Sequence, residues 1–90
     1  MLYMVIEHFK SGQAPEVYRR FRARGRMAPE GLHYVSSWVD LEFRQCFQVM
    51  ETDNEMLFSA WTSKWSDLID FEIVPIQTSA EAASAIASKL

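Results

Sequence analysis

The sequence is short of the residues that staple, kink or punctuate a chain: its 90 residues include one cysteine, three glycines and three prolines. With Cys46 alone, no intramolecular disulfide can form. That excludes a disulfide-stapled secreted scaffold and points to a reducing, cytoplasmic setting. With Gly12, Gly25 and Gly31 scattered, no glycine-rich loop exists to cradle a phosphate. Basic charge is also scarce, with 9 Lys and Arg against 12 Asp and Glu and a net charge of −3. A dedicated nucleic-acid binder usually carries a strong basic excess, so no nucleic-acid partner is expected. No apolar run approaches the roughly 20 residues of a membrane span. The opening Met1–Glu7 lacks the basic and long apolar regions of a signal peptide. The expectation is a soluble cytoplasmic protein with no membrane partner.

What is present suffices for one compact domain. Hydrophobic residues make up 49% and charged residues 23%, close to the soluble average and too apolar for disorder. Leu2 to Phe9 is rich in β-branched and aromatic residues and ends at the turn signal Ser11-Gly12, which reads as a first strand. Pro15 and Glu16 then suit a first helical turn, and Val17, Tyr18, Phe21 and Gly25 recur at helical spacing. Pro29 disfavours helix before it, so this helix is expected to end near Met27. Leu32 to Val39 and Phe43 to Glu51 read as two strands joined by Asp40-Leu41-Glu42, an antiparallel hairpin.

Thr52-Asp53-Asn54-Glu55 has capping-box spacing before a stripe of Leu57, Phe58, Trp61, Trp65 and Leu68, which predicts a second helix. Ile69 to Ile76 reads as a fourth strand, with Pro75 suited to an edge or a strand end. Thr78-Ser79-Ala80-Glu81 repeats the capping-box spacing before a short C-terminal helix. The predicted fold class is α+β: a ferredoxin-like βαββαβ domain over residues 1–77, with a helical tail over 78–90.

The strands do not alternate as a sheet with one wet face should. Leu2, Met4 and Ile6 oppose Tyr3, Val5 and Phe9; Ile69, Phe71 and Ile73 oppose Val74 and Ile76. Two helices cover one face only. The other is expected to meet a second copy of itself, because two-fold pairing of identical surfaces is the commonest oligomeric solution.

Several segments carry a resemblance: MLYMVIEHFK at the start, PEG at 29–31, SSWVD at 36–40, METD at 50–53 and above all WSDLIDFEIVPI at 65–76. They resemble a bacterial family catalogued only as a domain of unknown function, within the dimeric α+β barrel superfamily. The resemblance spans nearly the whole chain. It implies a ferredoxin-like protomer and a homodimer packed sheet to sheet around a cavity. It implies no reaction. Other branches of the superfamily include cofactor-independent monooxygenases, haem-degrading enzymes, lactone isomerases and stress-responsive proteins, and fold alone does not choose among them.

If the more polar set on each strand lines such a cavity, the third strand contributes Cys46, Gln48 and Met50, with Phe47 and Val49 towards the helices. The fourth contributes Asp70, Glu72 and Val74, and the second Tyr34, Ser36 and Trp38. On the first strand Met4, Ile6 and His8 are favoured, with Tyr3, Val5 and Glu7 as the alternative. The candidate pocket is then His8, Tyr34, Trp38, Gln48 and Glu72. A histidine beside a carboxylate suits acid–base work near neutral pH; the plain alternative is a pair at the rim.

No metal is expected, since His8 and His33 show no ligand spacing, and no cofactor motif occurs. Cys46, mid-strand, reads as a buried structural thiol. The arginines at 19, 20, 22, 24 and 26 read as a solvated helix face, with contact to an anionic ligand or nucleic acid as the alternative. Three functions remain open: a binder of a small apolar or aromatic metabolite between the sheets, a monooxygenase- or isomerase-type enzyme using the same cavity, and a structural protein whose cavity is filled by side chains.

Overall fold

A computed structural model describes residues 1–90. The elements run β1 (Leu2–Phe9), α1 (Ala14–Arg24), β2 (His33–Val39), β3 (Gln45–Glu51), α2 (Leu57–Thr62), β4 (Ile69–Ile76) and α3 (Ser79–Ile86), followed by a 3₁₀ turn (Ala87–Lys89). The four strands form one antiparallel sheet in the order β2-β3-β1-β4. This α+β arrangement has the ferredoxin-like order read from the sequence. Pro75 lies on the edge strand β4, opposite Tyr3. No helix is long and apolar enough to cross a membrane.

One face of the sheet carries the core. Tyr3, Val5 and Met50 from the strands pack with Val17 of α1, Phe58 and Trp61 of α2, and Trp65 and Leu68 from the turns that follow. Tyr3 and Phe58 meet edge to face at 5.0 Å. The loop after α2 is tied to α1 by a bidentate ion pair from Arg20 to Asp67 at 2.7 and 2.8 Å. That pair holds the Asp67 carboxyl below its usual range.

Several boundaries differ from the sequence reading, each for a local reason. α1 stops at Arg24 rather than near Met27, because Gly25 turns left-handed (φ 70°) and its N–H closes onto Phe21 O. β3 begins at Gln45 rather than Phe43: Phe43 is left-handed (φ 57°), and the Asp40 carboxylate accepts the Arg44 and Gln45 N–H groups. The capping box expected at 52–55 does not form. Thr52 Oγ1 instead accepts from Asn54 N, and α2 starts later and runs only six residues. Trp65 and Leu68 keep their core positions on a string of turns. The second box is present: Thr78 and Glu81 exchange their hydrogen bonds at the start of α3. α3 buries no residue.

Candidate functional site

Residues paired across neighbouring strands share a face, so the ladder assigns side chains in rows. On the helix side, one row runs Val39–Cys46–Glu7–Phe71 and the next Ser37–Gln48–Val5–Ile73. Two strongly polar groups, Glu7 and Gln48, therefore sit side by side beneath the helices, and both are buried. Buried polar groups must be paired or they cost stability. Gln48 Nε2 donates to Glu7 Oε2 at 2.8 Å, while Gln48 Oε1 accepts from Arg26 Nε at 2.5 Å.

Arg26 reaches this position because the chain reverses around it. Gly25 ends α1, and Met27 is also left-handed (φ 61°). The reversal is clamped by the indole N–H groups of Trp61 and Trp65, which both donate to Arg26 O at 2.9 and 3.1 Å. The Arg26 guanidinium lies 3.8 Å over the Tyr34 ring and 5.2 Å from the Phe21 ring. Only its Nε is hydrogen-bonded within the chain.

Between α1, the Arg26 turn and the sheet is a cavity of about 250 Å³. Its walls are largely apolar, with Phe9, Tyr18, Phe21, Trp61 and Trp65 prominent; Glu7, Gln48, Ser37 and Arg26 supply the polar groups. Glu7 is 8% exposed. Its Oε1 takes no hydrogen bond from the chain, yet no fully buried side-chain polar atom lacks a partner. Oε1 therefore looks into the cavity. Burial pushes the Glu7 carboxyl up to about 7, against the opposing pull of the Arg26 charge and the Gln48 amide. Burial and the Glu7 charge push the Cys46 thiol up to about 12, which leaves it an unreactive thiol. Burial, followed by the charges of Cys46, Glu7 and Asp40, raises the Tyr18 phenol.

The family model described as Domain of unknown function (DUF3303) matches residues 1–90. The chain belongs to the DUF3303 family. No curated protein and no solved structure matches. The family name carries no activity, so chemistry must be argued from the arrangement of side chains.

In this DUF3303 domain the residues proposed from sequence divide between the two faces. His8, Trp38 and Glu72 lie on the open face, away from the helices. His8 Nε2 meets Glu72 Oε1 at 2.5 Å, and Gln45 Nε2 lies 3.3 Å from His8 Nδ1. Trp38 is not near them. It is 60% exposed and stands on the far edge strand, at the other end of the row Trp38–Phe47–Ile6–Glu72.

Gln48 and Tyr34 lie on the helix side, so neither can line a cavity between two sheets. The expected facing of β3 is reversed: Cys46, Gln48 and Met50 are buried under the helices, and Phe47 and Val49 face outward. The rule that the more polar set faces a shared cavity fails because Gln48 is satisfied internally. Tyr34 changes sides because a bulge at Val35 shifts the register, placing Tyr34 opposite buried Met50 and Ser36 opposite Val49. On β1 the favoured set Met4, Ile6 and His8 does face outward.

Sequence reasoning left Glu7 and Arg26 out of the candidate pocket: Arg26 reads with its neighbours as a solvated helix face, but it lies past the end of α1, half-buried and bonded to Gln48. The signal was present in the weaker alternative for β1, where Tyr3-Val5-Glu7 places a carboxylate at the end of an otherwise core-facing set. No group of three or more His, Cys, Asp or Glu side chains converges as a metal site.

Proposed function

We propose that this protein is a small-molecule-binding module whose ligand occupies the cavity between the sheet and α1. One observation carries this reading: a carboxyl nine-tenths buried, with one oxygen turned into a largely apolar cavity. Such a group is costly unless a partner meets it, and an apolar cleft with a few convergent polar groups is the usual form of a ligand site. At about 250 Å³ the space exceeds the roughly 150 Å³ that accommodates benzene, so it suits one or two rings. An open cavity of this size weighs against a purely structural role.

The site proposed here lies within one protomer and not between two sheets. The second copy plays a separate part. It covers the open face in a homodimer of the dimeric α+β barrel kind, which would enclose the His8–Glu72 pair. The lone, buried Cys46 fits a reducing cytoplasm.

An enzymatic reading is favoured by one specific feature. A carboxyl held near 7 is matched to proton transfer at neutral pH, and Glu7 would be the acid–base group.

Titration with 2-naphthol, followed by calorimetry, tests the site. Saturable binding is expected, weakened at least tenfold by Val39→Phe, which extends a ring into the cavity from its β2 wall. A signal that never saturates, or one that Val39→Phe leaves unchanged, places no ligand there.

A further inference from the structure

The cavity holds an electrostatic imbalance. Arg26 brings a full positive charge to its wall and gives the chain only its Nε, through the neutral Gln48 amide. Its remaining guanidinium N–H groups have no acceptor in the chain. The nearest carboxyl, Glu7, makes no ion pair with it: the Gln48 side chain separates them, bonded to each. Other charges of the arginine-rich segment are already spent or elsewhere. Arg19 pairs with Glu16 and Arg20 with Asp67, while Arg22 and Arg24 are exposed on α1.

From this arrangement we infer that the cavity takes an aromatic carboxylate: a flat one- or two-ring acid whose carboxylate sits between the free Arg26 N–H groups and Glu7 Oε1. The inference rests on the proposed ligand site and specifies its chemistry. An arginine fork matches a carboxylate geometrically and is the usual choice for planar recognition of that group. The other carboxylate oxygen would accept the Glu7 proton, a short charge-assisted bond in a dry site. The rings lining the cavity would stack on or edge against the ligand ring.

A pH dependence of definite sign follows. The groups facing Glu7 are Arg26 from the turn after α1, Cys46 from β3 and Tyr18 from α1; β4 and α2 bring only Phe71 and Trp61, which do not ionise. Burial pushes the Cys46 thiol and the Tyr18 phenol further above neutrality, so of these groups it is Glu7 whose charge changes there. Binding that requires its proton strengthens as pH falls and weakens as pH rises through about 7.

The test compares three probes of equal ring size, 2-naphthoate, 2-naphthol and 2-naphthamide, by calorimetry on the intact protein at pH 6 and pH 8. Naphthoate should bind at least tenfold more tightly than either neutral ring at pH 6, and lose about tenfold between pH 6 and pH 8. Arg26→Gln should remove the preference for naphthoate while naphthol binding persists. Glu7→Gln should retain naphthoate binding, since its amide also donates, but flatten the pH profile. Circular dichroism establishes that each variant is folded, and the wild-type comparison stands without them. Neutral rings binding as well as naphthoate, or naphthoate binding that does not weaken from pH 6 to pH 8, would overturn the inference and leave the ligand site standing. If no probe binds, both fall.

Discussion

Glu7 shows how one residue can trade stability for a chemical opportunity. In the unfolded chain its carboxyl titrates near 4.5, and in the folded chain near 7. The folded state therefore binds the proton more tightly, and folding stability falls as pH rises between those values. Below about 4.5 both states are protonated and no penalty exists; above about 7 the full penalty applies, on the order of 3 kcal/mol. Glu7→Gln keeps the shape and removes the titration. Urea unfolding at pH 5 and pH 8 should show the wild type losing about 2–3 kcal/mol more than Glu7→Gln over that interval. Equal losses would mean that Glu7 is not held neutral by burial.

The same residue explains why the site was hard to read from sequence. Periodicity assigns a side chain to one of two faces, but says nothing of whether a polar one is paired there. Glu7, Gln48 and Arg26 lie 19 or more positions apart and satisfy one another only once β1, β3 and the turn after α1 are assembled. Read singly, Gln48 looks like a polar residue turned away from the core.

At the scale of elements, the sheet was legible and the helix ends were not. β1 and β4 fall where β-branched and aromatic runs meet turn signals, because strand propensity and burial agree there. α2 was overread because Trp61, Trp65 and Leu68 keep helical spacing while the backbone carrying Trp65 and Leu68 is a series of turns. What fixes the two tryptophans is tertiary: both indoles are anchored on Arg26 O. α3 shows the converse, a helix that obeys its local signals and contributes nothing to the core. Its capping box forms and its alanines favour helix, yet none of its residues is buried. Truncation after Gln77 is expected to change unfolding free energy by less than about 0.5 kcal/mol, the level of a surface change. The near-UV circular dichroism of the chain, to which Trp61 and Trp65 contribute, should also stay the same. A larger loss in urea unfolding would show that α3 docks on something the isolated chain does not display.

For the whole molecule, the decisive asymmetry is between the two faces of one sheet. The helix side is filled by the core and the Glu7 cavity. The other presents Leu2, Met4, Ile6, Trp38, Phe47, Val49, Val74 and Ile76 with no helix over them, Trp38 at 60% exposed and Val74 at 44%. Its charged groups sit towards the corners: His8, Asp70 and Glu72 where β1 and β4 meet the α1 end, His33 and Glu51 at the opposite end of β2 and β3. An apolar centre with a polar rim is the anatomy of a protein interface. Two copies related by a two-fold axis would bury that centre twice. Val49 lies in the middle row, Ser36–Val49–Met4–Val74, so it tests the arrangement without touching the core. Sedimentation velocity should report a dimer for the wild type and a monomer for Val49→Lys, since a buried lysine facing its own copy has no partner. Because the Glu7 cavity is built within one protomer, the lysine variant should still bind 2-naphthol. A monomeric wild type would remove the sheet-to-sheet dimer and leave the ligand site standing, whereas loss of naphthol binding on dissociation would mean that the second copy helps to shape the cavity.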